Sequence, residues 1–155
     1  MYLQNEDGLL PIIKELGCYF LSLGRIIELE TDKDFAIDEV NEVWRNSIAH
    51  KYIDDDKRII NPDKILKNFT LFTKQPHLTI AQIGEEKNGK IVYWNWTKPF
   101  YQNANYLIEM VNTNGKQGTH FRLCNIDKKV IFDSYSFEDY SFKPSGRYLH
   151  YMIIK

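Results

Sequence analysis

Halfway along the chain the hydrophobic period changes, and that change limits the folds open to it. Up to about residue 70, apolar side chains recur at helical spacing. After residue 76 they sit in short runs rich in β-branched and aromatic residues. A 3.6-residue stripe and a two-residue alternation cannot occupy the same element, so the two halves fold differently. Helices first and antiparallel strands second predict an α+β chain.

In the first half, Pro11 suits the opening turn of a short helix that ends before Gly17. Residues 18–30 place Phe20, Leu21, Leu23, Ile26 and Ile27 on a broad stripe, which predicts a buried helix. Gly24 within it allows close approach of a neighbour. Residues 31–34 (TDKD) offer polar caps to a further helix carrying Ala36, Ile37, Val40, Val43, Trp44 and Ile48. Asp38 and Glu39 suit the first turn of that helix. Asn61-Pro62 reads as an N-cap with proline at the next position, opening PDKILKNF. In the second half, residues 78–83, 90–96, 105–111, 120–125, 129–133 and 148–154 read as strands. Residues 86–89, 112–118 and 125–128 are turn chemistry between them. No linker or repeat interrupts the 155 residues, so one domain over 1–155 is expected.

Charge and cysteine content narrow the function. Twenty basic and 21 acidic residues give a net charge of −1, which disfavours a nucleic-acid binder working by bulk charge. No run of 18 apolar residues suggests a membrane helix, and the first residues lack the basic start of a signal peptide. A cytoplasmic location is therefore expected, where a disulfide would be unusual. The two cysteines, Cys18 and Cys124, make neither a disulfide scaffold nor a paired zinc framework. His50, His77, His120 and His150 show no metal-binding spacing, so neither metal nor cofactor is expected. Asp54, Asp55 and Asp56 read as a solvated turn, lacking the rest of a calcium loop.

Cys18 follows Gly17 at the start of an apolar helix, where the helix dipole favours the thiolate. A small buried hydrophobe is the plainer reading of the same position. In the strand around His120, alternation puts His120, Arg122 and Cys124 on one face and Phe121 and Leu123 on the core face. His120 is then expected to be accessible at the strand's beginning. Asp133 ends the next strand of a hairpin, near the cross-strand position of His120, where a carboxylate orients an imidazole. It also suits a turn cap for Ser134 and Tyr135. Cys124 lies about 13 Å along the strand from His120 and reads as structural. Two aromatic tracts, YWNWTKPFY (93–101) and Tyr135 to Phe142, read as sheet packing or as the border of a cleft.

A cysteine at a helix start, a histidine on a strand and an acid on the next strand stand in the order of a Cys/His/Asp nucleophilic site. With QNED (4–7), GCYFLSLGRIIEL (17–29), AIDEVNEVW (36–44), GTHFRL (118–123) and VIFDSYS (130–136), the chain resembles the papain-like cysteine peptidases. The likeness is greatest to their small bacterial branch, which includes bacteriocin-leader (double-glycine) peptidases. That resemblance implies a papain-like fold, with Cys18 as nucleophile, His120 as general base and then acid, and Asp133 as the orienting acid. It implies Gln4 as an oxyanion donor beside the Cys18 backbone N–H. Gln4 stands farther ahead of the cysteine than in papain, and Ser134 stands where many relatives carry proline. The expected function is a thiol hydrolase acting on a peptide or amide bond, with a peptide or protein as partner. The alternative is an inactive papain-fold protein, encoded by a phage or mobile element, that binds a host protein.

Overall fold

The computed structural model describes residues 1–93, 104–112, 119–135 and 143–154. Among them the elements run α1 (Pro11–Leu16), α2 (Cys18–Thr31), α3 (Ile37–Ala49), α4 (Pro62–Thr70), β1 (Thr79–Lys87), β2 (Lys90–Tyr93), β3 (Tyr106–Asn112), β4 (Thr119–Cys124), β5 (Val130–Phe132) and β6 (Arg147–Ile154). The chain is thus α+β, with helices preceding a six-stranded sheet. Strand order is β2-β1-β6-β3-β4-β5, and every neighbouring pair is antiparallel. The expected strand over 94–96, the loop over 97–103, most of the turn over 112–118 and the aromatic tract over 136–142 lie outside the described residues. No helix among the described residues is long and apolar enough to cross a membrane.

The predicted stripes become the core. Phe20, Leu21, Leu23, Ile26 and Ile27 of α2 are fully buried, together with Val40 and Val43 of α3 and Ile65, Leu66 and Phe69 of α4. Aromatic rings knit these helices: Phe20 lies edge-on to Trp44 at 5.0 Å between centroids, and Phe69 lies 5.0 Å from Phe35. One sheet face closes this core with Ile108, Leu123, Leu149, Tyr151 and Ile153. Gly24 is required for that packing, because an added Cβ would meet the Met1 side chain at 2.4 Å and Phe69 at 2.8 Å.

Three local expectations need correction. Residues 86–87 are strand, and the β1–β2 turn is Asn88-Gly89 alone. Both of its residues have positive φ (52° and 81°), as a two-residue hairpin demands. Residues 31–34 do not cap α3; its N-cap is Ala36, whose N–H donates to the Glu39 carboxylate at 2.9 Å. Asn61 does precede Pro62 at the start of α4, but its side chain makes no capping bond.

The sheet face turned away from the helices was expected to be open at His120. It is buried and polar instead, carrying Glu86, Glu109, His120, Arg122 and His150 among its buried residues. A second, smaller apolar cluster of Leu107, Cys124 and Tyr148 shares this face.

Candidate active site

The site begins at the junction of two helices. Gly17 closes α1 by donating its N–H to Ile13 O, and the next residue, Cys18, opens α2. The chain passes so close to α1 that an added Cβ on Gly17 would lie 2.3 Å from Ile13 O. No side chain at position 17 caps α2, so the N–H groups of its first turn remain at the thiol's end of the helix. The helix is held locally by Ser22, whose hydroxyl donates to Cys18 O at 2.8 Å.

The residues that follow Cys18 and His120 in sequence fix how α2 meets the sheet. Tyr19 stacks on Phe121 with ring centroids 4.5 Å apart, and the Tyr19 and Tyr151 hydroxyls bond to one another. Phe121 is on the helix-facing side of β4, so His120 points to the other side at the strand's beginning. Stacking of Tyr19 on Phe121 therefore brings Cys18 and His120 together. Cys18 lies close enough to His120 for its side chain to favour the imidazolium. His120 Nε2 meets Asp133 Oδ1 at 2.7 Å. The Tyr135 ring stands edge-on to the imidazole at 5.9 Å.

Burial pushes the His120 imidazole toward its neutral form. Hydrogen bonds to Asp133 and Cys18, with their charges, outweigh burial and raise its pKa to about 9. Burial likewise pushes the Asp133 carboxyl up. The hydrogen bonds from His120 and from the Tyr135 N–H (3.0 Å), with the His120 and Arg122 charges, outweigh it and hold Asp133 below the usual carboxylate range. The arrangement favours an imidazolium beside an ionised Asp133.

Asp133 does both things its position suggested: one carboxylate oxygen serves the turn to Tyr135 and the imidazole. Gln4 is 2% exposed and straps the site from outside. Its N–H donates to Ser134 O at 2.8 Å, its side-chain carbonyl accepts the Ser134 hydroxyl at 2.8 Å, and its amide donates to Lys14 O at 3.3 Å. Gln4 thus spans from the last turn of α1 to the residue after Asp133. No hydrogen bond joins Gln4 to Cys18. From sequence, Ser134 marks a departure from the proline of the papain-like peptidases that the chain resembles, and nothing there points to Gln4 as its partner. Cys18 is 9% and His120 5% exposed, so the histidine expected to be accessible is buried.

Cys124 lies apart. Burial and the nearby Glu109 carboxylate push its thiol up to about 12. Both cysteines are free thiols. Among the described residues no group of three or more His, Cys, Asp and Glu side chains could hold a metal ion. A surface cavity of about 620 Å³ lies at the β1–β2 hairpin, lined by Glu85, Lys87, Asn88, Lys90 and Val92, and touches none of the site residues.

Fold and site together define an α+β protein with a hydrogen-bonded imidazole and carboxylate close to a thiol at a helix start. The family model described as "Protein of unknown function, DUF261" matches residues 1–145, and the chain belongs to that family. No curated protein and no solved structure matches the chain significantly.

Proposed function

We propose that this chain is a papain-like thiol hydrolase that cleaves a peptide or amide bond. The single observation behind the proposal is the run Asp133–His120–Cys18, with Cys18 as the first residue of α2. Each group has a part. The Cys18 thiolate attacks the carbonyl carbon, and the oxyanion forms beside the Cys18 N–H at the helix start. Gln4 supplies the second donor: one amide hydrogen serves Lys14 O, and a carboxamide has two. The His120 imidazolium gives its proton to the leaving amine, which departs and leaves a thioester on Cys18. Neutral His120 then takes a proton from water, the hydroxide adds to the thioester, and the acid is released with the thiol restored. Asp133 holds the ring in the orientation both steps need.

A second reading, a catalytically silent binder with the same fold, draws support from the burial of Cys18 and His120, which leaves little room for a substrate. A peptide carrying an electrophilic vinyl sulfone separates the two. A hydrolase forms an adduct on Cys18, located by mass spectrometry, and loses it in Cys18→Ala and His120→Ala. No adduct on folded wild-type protein, at concentrations that label an ordinary thiol peptidase, would leave the binder.

A further inference from the structure

Across the sheet face that carries His120 runs a row of buried polar side chains. The strand register sets Glu86 of β1 opposite Tyr148 of β6, Tyr148 opposite Glu109 of β3, and Glu109 opposite Arg122 of β4. Glu109 is 1% and Arg122 8% exposed. Arg122 Nε donates to one Glu109 oxygen at 2.5 Å, and the other oxygen accepts the Ser145 N–H at 2.9 Å. Both Glu109 oxygens are thus engaged.

Position makes this pair more than a rivet between strands. Arg122 is two residues after His120, so alternation puts both side chains on one face of β4. Leu123 pairs with Phe132 in the β4–β5 register, and the next residue, Asp133, bonds His120, so Asp133 stands beside the face of β4 that carries Arg122. Arg122 thus has a carboxylate on either side: Glu109 from β3 and Asp133 at the end of β5. The titratable groups facing it among the described residues are His120 and Cys124 on its own strand, Glu109 from β3, Tyr148 from β6 and Asp133.

We propose that Arg122 is a positioning residue for the thiol site, its charge keeping Asp133 ionised and directed at His120. The inference rests on the thiol-hydrolase reading. Two acids beside one imidazole would otherwise compete for protons, and a neutral Asp133 supports the imidazolium poorly. The Arg122 charge is among those that hold Asp133 below its ordinary range. Without it, Asp133 takes up a proton more readily, the imidazolium loses support, and the thiolate appears only at higher pH.

Removing either member of the pair breaks the same ion pair, but the two removals change the charge beside Asp133 in opposite senses. The test is the pH profile of Cys18 alkylation by iodoacetamide, resolved by site with mass spectrometry, in wild type, R122M, R122K and E109Q. R122M moves the acid limb up by about one pH unit, roughly a tenfold loss of rate on the limb. R122K keeps the charge and stays within a few tenths of a unit of wild type. E109Q keeps the guanidinium and leaves the limb in place or lower. A limb that R122M leaves unmoved, or that R122M and E109Q both raise, makes the pair purely structural and overturns the inference alone. Should R122M fail to fold, E109Q decides: a limb unchanged or lowered supports the inference, and a raised limb overturns it. A wild-type profile with no limb below the free-thiol range overturns the thiol-hydrolase reading and this inference with it.

Discussion

Cys18 and Cys124 are both free and both buried, yet their surroundings give them opposite chemistry. Cys18 stands at the start of a helix with the His120 imidazole against it. Cys124 ends a strand among Leu107 and Tyr148, with the Glu109 carboxylate near. What separates them is the neighbouring charge, and that depends on which end of β4 each one meets.

The largest difference should appear in native alkylation. At pH 7 a thiol with a pKa near 12 is thiolate only about one part in 10⁵. Site-resolved labelling should find Cys18 reacting at least ~1,000-fold faster than Cys124; equal rates would abolish the distinction drawn between them. Next comes Gly17→Ala. Its new Cβ must displace Ile13 O or the start of α2, so urea unfolding should show a loss of about 1–3 kcal/mol. Cys18 labelling should slow with it, while Cys124 labelling in the folded protein stays put.

A smaller effect belongs to pH. His120 has its pKa raised from 6.5 to about 9, so its contribution to stability is fully present below about 6.5 and fades as pH rises through 9. Asp133 is lowered, so its contribution is present above its unfolded value near 3.8 and fades as pH falls through the folded value. The stability gap between wild type and His120→Ala should therefore be widest between about pH 4 and 6.5 and shrink toward pH 9. A gap that widens with pH would reverse the assigned charges. Smallest is Cys124→Ala, expected to cost about 1–2 kcal/mol in unfolding and to leave the Cys18 rate unchanged.

The two sheet faces show how far a sequence can be read. The helix-facing side was legible because Phe121, Leu123 and Leu149 are apolar, and apolar alternation maps directly onto burial. The opposite side was misjudged because its residues are charged, and a charged residue in a strand ordinarily means solvent. Glu86 read as a turn for that reason. It is strand, and Lys128 and His150, both distant in sequence, bond it there. The same blindness made His120 an exposed rim residue and left Glu109 unnoticed, since nothing local pairs Arg122 with a carboxylate 13 positions away. Cys18, His120 and Asp133 could be singled out because their order and local settings carry the chemistry. The strap from Gln4 to Ser134 joins residues 130 positions apart, which no periodicity reports.

The central claim is that His120, held by Asp133, makes Cys18 a nucleophile. The pH dependence of Cys18 alkylation in wild type and His120→Ala tests it most directly. The account expects a wild-type thiolate well below the free value of about 8.5, moving to that value or above in the variant. An ordinary thiol in the wild type, unmoved by the loss of His120, would contradict it.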